Sequence, residues 1–339
     1  LDAISRPAER VKLWKEYRPI FITDARIARG VDFWRQHEAV LARAEQEYGV
    51  PAQVIVSIIG VETFFGRNTG NYRVIEALST LGFDYPPRAE VFRKELRDFL
   101  LLAREEQVDP LSLKGSYAGA MGLPQFMPSS FRAYAVDFDG DGRRDIWNSP
   151  ADALASTAHY LQSSGWQQGQ PWGLEVQLNS GFDYALADAS TRKTVGEWMR
   201  LGMTPANGKA LPYGSEHLSA SLLLPAGYRG PAFLILDNFR AVLKYNNSSS
   251  YALAVNLLSE RFGGAGQISG NWPKDDLPLS RSERIELQTL LSANSYDAGN
   301  PDGIIGANTR KAIRNAQQAL GWPADGYPTH KLLESLRNR

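Results

Sequence analysis

The sequence predicts a mainly α-helical (α+β) protein in two parts, on three observations. Apolar residues recur at helical spacing through the first half, and they alternate with polar ones between residues 174 and 178. A Gly/Pro/Ser/Asp-rich stretch at 263–281 then precedes three short helical patterns. At 339 residues the chain has room for two cores.

Asp32 is placed to cap a helix running through Phe33, His37, Val40, Leu41, Ala44 and Tyr48. Pro51 suits the first turn of the next helix, where Val54, Ile55, Ile58, Ile59 and Glu62 fall on one face. The β-branched content of that run also allows a strand; its length and its proline start favour helix. Residues 88–107 and 151–163 repeat the helical spacing. After Gly165, Leu174, Val176 and Leu178 alternate, and 218–224 and 232–236 flank Pro-Ala-Gly-Tyr-Arg-Gly as in a hairpin. Helix returns over 239–245 and 252–262. Past the boundary stretch, Ser280 and Glu283 form a capping box before Ile285, Leu287, Leu290 and Leu291. Asn308 is placed to cap a helix with Ala312, Ile313, Ala316 and Leu320 inward, and Leu332, Leu333 and Leu336 mark a third. Asp302-Gly303 and Asp325-Gly326, ahead of the second and third helices, form a weak internal repeat. Three short helices suit an accessory module rather than a catalytic domain.

Composition excludes several functions. Lys+Arg 37 balances Asp+Glu 37, so no basic excess argues for nucleic acid or an anionic membrane surface. Hydrophobic residues at 43% and charged residues at 22% are globular values, which sets disorder aside. With Cys 0 there is no disulfide, thiol nucleophile, Cys-ligated metal or lipidated N-terminal cysteine in the chain as given. The four His are scattered and never at HExxH spacing, against a zincin site. The longest near-apolar run, Val54–Val61, is far short of a membrane span. The chain opens Leu-Asp-Ala without Met and reads as a processed or trimmed form.

Four constellations could carry chemistry. Glu62 ends an apolar run, so its carboxyl should be largely desolvated and its pKa raised above the reference of about 4.3. A carboxylic acid protonated near neutral pH can protonate a glycosidic oxygen. Spacing alone leaves open a helix-end Glu paired with Arg67 or Arg73. Lys114–Gln125 is rich in glycines that let backbone approach closely, while Ser116, Tyr117 and Gln125 offer neutral hydrogen-bonding groups suited to a sugar. An ordinary glycine-rich loop is the alternative. Asp137, Asp139 and Asp141 occupy loop positions one, three and five, with Gly142 at six and Asp145 at nine, as at the start of an EF-hand. Position twelve is Asn148 instead of Glu, and Asp152 a turn later could close an enlarged loop. The pattern favours bound Ca²⁺ over an empty Asp/Gly turn. Tyr245, Asn246 and Tyr251 stand between two helices and could line a cleft or simply pack.

Val54–Leu81, Lys114–Ser130 and the Asp-rich loop followed by Ile146-Trp147 resemble the membrane-bound lytic transglycosylase B family, glycoside hydrolase family 103, over roughly residues 5–262. The tail, with Asp302-Gly303-Ile304-Ile305-Gly306 and Thr309, resembles the type 1 peptidoglycan-binding domain. The resemblance implies a lysozyme-like helical catalytic domain at 1–265 with a β-containing insertion at about 166–236, a linker at 266–279 and a three-helix binding domain at 280–339. It implies a carbon–oxygen lyase that cleaves the β-1,4 bond between N-acetylmuramic acid and N-acetylglucosamine, leaving 1,6-anhydromuramic ends. Glu62 would be the acid and then the base. Ser116, Tyr117, Gln125, Tyr245, Asn246 and Tyr251 would contact substrate. Asp137, Asp139, Asp141, the Arg143 carbonyl and Asp152 would hold a structural Ca²⁺, with no organic cofactor. The implied setting is periplasmic, soluble or attached to the outer membrane, with glycan strands and other cell-wall enzymes as partners and no transmembrane segment. A hydrolysing muramidase, with a second acid such as Glu76, Asp84 or Glu90 in the cleft, and a non-catalytic peptidoglycan-binding scaffold are the alternatives.

Overall fold

The structure, a computed structural model, describes residues 14–188, 190–209, 211, 214–265, 268–275 and 277–338. Residues 5–13 of the resembling region and 266, 267 and 276 of the boundary stretch lie outside the described residues.

The first helices are α1 (Trp14–Phe21), α2 (Asp24–Gln36), α3 (Glu38–Tyr48) and α4 (Ala52–Thr63). The helix expected from Asp32 to Tyr48 is thus two helices. Thr23 caps α2, its hydroxyl accepting the Arg26 N–H at 3.2 Å. The chain breaks at His37, whose N–H bonds the Phe33 and Trp34 carbonyls while its ring sits 4.5 Å from that of Phe33. Apolar spacing registers a shared buried face and does not register a break between two helices that share it. Asp32 lies inside α2, 3.8 Å from Arg35.

α4 is the hub. Ten of its 12 residues are buried, so the single apolar face expected for it becomes burial nearly all round, as for a central helix. Around it pack α2, α3, α8 (Pro150–Ser163) and α11 (Ser249–Phe262). The Ser57 hydroxyl of α4 donates to the Val255 carbonyl of α11 at 2.6 Å. A second core gathers Leu78 of α5 (Val74–Asp84), Phe92 and Phe99 of α6 (Ala89–Glu105), Phe131 of α7 (Pro128–Tyr134), Phe126 and Ile146. Beside it a short ribbon pairs β1 (Tyr72–Arg73) with β2 (Lys114–Gly115), Tyr72 opposite Gly115. Gly70 enters that ribbon at φ +93°, and a Cβ there would lie 2.1 Å from the Gly115 carbonyl oxygen, so only glycine fits.

The insertion is an antiparallel sheet of β3 (Gly173–Gln177), β4 (Lys193–Thr194), β5 (Thr204–Pro205), β6 (Ser219–Leu223) and β7 (Ala232–Ile235), in the order β4-β6-β7-β3-β5. The expected hairpin is β6–β7, with Leu222 opposite Leu234. Trp198 of α9 (Val195–Arg200) is buried under it and donates to the Ala220 carbonyl at 3.1 Å. α10 (Asp237–Tyr245) then leads back to α11.

The C-terminal helices are α12 (Arg281–Ala293), α13 (Ala307–Ala319) and α14 (His330–Arg337). The Ser280/Glu283 capping box forms. Gly306 takes the cap position expected of Asn308, its carbonyl receiving the Arg310 N–H at 3.0 Å, and Asn308 lies in the first turn. The Asp-Gly repeat has a physical basis. Gln288 donates to Asp302 at 3.1 Å and accepts the Gly303 N–H at 2.8 Å; Gln317 does the same to Asp325 at 2.7 Å and Gly326 at 2.9 Å. The second turn also touches the insertion, because Asp325 accepts the Tyr228 N–H at 2.8 Å. Arg314 pairs with Asp188 beside it.

Candidate active site

Glu62 is the penultimate residue of α4 and is half-buried, less desolvated than its run of apolar neighbours suggested. The backbone just past the helix is strained. Phe64 and Phe65 both hold left-handed backbone, at φ 51° and 59°, which non-glycine residues adopt at a cost of roughly 1–3 kcal/mol each unless their surroundings impose it. The surroundings here are identifiable. The Thr63 hydroxyl lies 3.2 Å from the Ile59 carbonyl and 3.1 Å from that of Leu123, and accepts the Gly66 N–H at 3.1 Å. It therefore ties the end of α4 to the glycine-rich loop. Phe64 is ringed by Arg26, Arg29 and Arg67, their guanidinium carbons 5.0, 5.6 and 5.9 Å from its ring centre.

Tyr251, in the first turn of α11, donates its O–H to Glu62 Oε1 at 2.6 Å. Tyr245, at the end of α10, lies nearly parallel to it with ring centres 6.5 Å apart, and donates to the Pro124 carbonyl at 2.6 Å. Burial, and next the charge of Glu62, push both phenols well above their usual range. Both therefore stay protonated at working pH and act as hydrogen-bond donors, not bases.

The loop after β2 is organised by its own polar residues. The Ser116 hydroxyl accepts the N–H of Ala118 at 3.2 Å and of Ala120 at 3.0 Å. Gln125, at φ 52°, donates to the carbonyls of Thr69 at 3.1 Å and Gly122 at 2.9 Å, leaving its amide oxygen with no donor among the described residues. Among the site residues expected from sequence, Glu62, Tyr245 and Tyr251 are brought together directly. Gln125 joins them through Pro124, which precedes it. Ser116 and Tyr117 belong to the same loop, and Asn246, half-buried, comes directly after Tyr245. Tyr160, not singled out in the sequence, packs 4.6 Å from the Tyr245 ring and is pushed up to about 12 by burial. Thr63 was also missed. Glu76, Asp84 and Glu90 are exposed, with Glu76 2.9 Å from Arg73 and Glu90 paired to Arg93.

A second cluster lies in the acidic loop. Asp137, Asp139 and Asp152 bring ligand oxygens within 4.8 Å of one another. Asp152 is fully buried; its Oδ1 accepts the N–H groups of Phe138 at 2.7 Å and Asp139 at 3.3 Å, its Oδ2 that of Asp145 at 2.8 Å. Burial raises its pKa against these bonds. Hard carboxylate oxygens at this spacing suit Ca²⁺. Asp141 stands outside that group of three, its Oδ1 accepting the Arg143 N–H at 2.9 Å.

Residues 1–260 match the Transglycosylase SLT domain, and residues 280–336 match the peptidoglycan binding domain. The chain is 45% identical over 242 residues to membrane-bound lytic murein transglycosylase B of Escherichia coli (strain K12), covering 71% of this chain and 65% of that protein. It thus spans less than two thirds of that relative's length. The structure superposes on SltB3 from Pseudomonas aeruginosa in complex with NAG-anhNAM-pentapeptide with a TM-score of 0.93 at 51% identity, covering 98% of this chain and 89% of that one. It is also similar to the Escherichia coli lytic transglycosylase Slt35 in complex with calcium, with a TM-score of 0.67 at 45% identity over 74% of this chain and 78% of that one.

Proposed function

From its membership of the transglycosylase SLT domain family, which the match over residues 1–260 establishes, we propose that this chain is a peptidoglycan lytic transglycosylase. Its substrate is the β-1,4 bond between N-acetylmuramic acid and N-acetylglucosamine, and its product a 1,6-anhydromuramic end. The observation that carries this reading is the contact of Glu62 with Tyr251 at 2.6 Å. A donor fixed on one core helix orients a carboxyl at the end of another.

Glu62, protonated, donates to the leaving glycosidic oxygen as general acid. The N-acetyl oxygen of the muramic residue stabilises C1 in place of a second protein carboxylate. Ionised Glu62 then removes the proton of the C6 hydroxyl, which attacks C1 within the same sugar and outcompetes water through its effective concentration. Tyr251 supports the ionised state, because a hydrogen bond to a carboxylate favours the charged form. Tyr245 holds the loop that carries Gln125, and Ser116, Tyr117, Gln125 and Asn246 contact the glycan. Exposed, arginine-paired Glu76 and Glu90 favour this single-acid scheme over a hydrolysing muramidase.

The remaining assignments are proposals of the same kind. Asp137, Asp139 and Asp152, with Asp141 and the Arg143 carbonyl, hold a structural Ca²⁺ that neutralises the clustered acids. Residues 1–265 form the catalytic part, 266–279 the linker and 280–339 a wall-binding module, and the protein works in the periplasm. No helix among the described residues is long and apolar enough to cross a membrane. Mass spectrometry of digested murein tests the function: anhydro ends support it, reducing ends favour hydrolysis, and no products favour a binding scaffold.

A further inference from the structure

Beside the Gln125 loop, a cavity of about 550 Å³ opens between the β1–β2 ribbon and the acidic loop, within the range of small-ligand sites. Thr69, Asn71 and Lys114 line one side and Arg143, Trp147 and Asn148 the other. Thr69 links it to the active site, because its carbonyl accepts the Gln125 amide at 3.1 Å.

The charges lining this cavity are unevenly satisfied. Glu106 is taken up by Arg144, which donates from Nε to Oε1 at 2.6 Å and from its backbone N–H to Oε2 at 3.1 Å. Asp145 accepts the N–H groups of Trp147 at 3.0 Å and Asn148 at 2.8 Å. Both acids are thus occupied by donors of the walls themselves. The Lys114 ammonium and the Arg143 guanidinium have no acceptor among the described residues; Asn71 lines the same cavity, and the Asn148 amide donates to Asp145 at 3.0 Å. Two uncommitted cations in one cavity suit a ligand that carries carboxylates on a peptide backbone.

We propose that this cavity takes the stem peptide of the glycan, with peptide carboxylates on Lys114 and Arg143. The assignment rests on the peptidoglycan function proposed for the chain and names the part of the substrate that the glycan groove itself does not read. Five extended residues span at most about 17 Å, so a stem leaving a sugar beside Gln125 can enter a cavity that shares a wall with it.

The test compares two ligands by calorimetry. One is the NAG-NAM disaccharide bearing a pentapeptide; the other is the same disaccharide with its lactyl carboxyl capped as the methylamide, which keeps the sugar and removes every peptide charge. The wild-type protein should bind the first about tenfold more tightly, the value of one charge-assisted hydrogen bond. Lys114→Gln combined with Arg143→Gln should erase that preference, while Lys114→Arg should keep it. Both side chains are exposed, and an unchanged melting temperature in calcium confirms that the double variant is folded. The assignment is overturned if the wild-type protein shows no preference, if the double variant retains it, or if both ligands weaken together. If neither ligand binds the wild-type protein, the peptidoglycan function falls with it; if the capped disaccharide binds and the peptide adds nothing, only this assignment falls.

Discussion

Glu62 and Asp152 are carboxylates on two core helices that pack together, and they are held in opposite ways. Asp152 sits in the first turn of α8, is fully buried, and receives three backbone N–H groups from the acidic loop. Glu62 sits in the last turn of α4, half-buried, and receives a side-chain O–H from Tyr251. The negative end of the α4 dipole disfavours a carboxylate there, whereas the start of α8 favours one. An acid saturated by backbone donors organises the chain around it. An acid steadied by a phenol at the wrong end of a helix keeps the capacity to exchange a proton with a ligand.

The largest effect expected from this contrast is in Glu62→Gln, which should lower turnover by about 10²–10⁴-fold without changing the melting temperature. Retention of more than about a tenth of the turnover would remove Glu62 from the role of acid. Asp152→Ala should do the reverse. It orphans three N–H groups, that of Phe138 buried and those of Asp139 and Asp145 partly so, and roughly 3 kcal/mol and about 4–6 °C of melting temperature should be lost, while turnover at low temperature persists. Calcium sharpens the comparison: a chelator should lower the wild-type melting temperature and calcium restore it, and Asp152→Ala should blunt that response. Equal melting temperatures with and without chelator would show that the loop stands without an ion. Tyr251→Phe should cost about tenfold in kcat with little change in KM, the value of one hydrogen bond to a charged group. The smallest effect is one of pH. Tyr245 and Tyr251 hold their protons more tightly folded than unfolded, so their contribution to stability is complete below about pH 10 and is lost as pH rises above it. Ultraviolet titration should find no tyrosinate from either before alkaline unfolding begins.

Local chemistry carried much of this into the sequence. The Ser280/Glu283 box, the β6–β7 hairpin and the α6 and α8 spans emerge from side-chain spacing, because each depends on residues close in the chain. The break at His37 and the cap at Gly306 were not legible, since both depend on which backbone groups find partners rather than on which residues are apolar. At the site, Glu62 stood out because an acid closes an apolar run. Resemblance brings Tyr251 to the substrate, but its bond to Glu62, 189 residues away, is not legible, because no periodicity spans such a distance. Thr63 carried a faint signal, as a helical threonine able to bond back to the carbonyl four residues earlier. Nothing local announced that its hydroxyl also reaches Leu123, or that Asp325 would meet the backbone of Tyr228.

The bond from Ser57 to Val255 bears on how the site behaves when the molecule is warm. Ser57 lies little more than one turn before Glu62 on α4, and Val255 lies one turn beyond Tyr251 on α11, so this bond joins the same two helices that carry the Glu62–Tyr251 contact. Clamped elements move together. Thermal displacement should then carry carboxyl and phenol together, with their separation changing less than either position does. The geometry proposed for catalysis is then a property of the frame formed by α4 and α11 rather than of two side chains, and it should hold nearly constant on heating until that frame gives way.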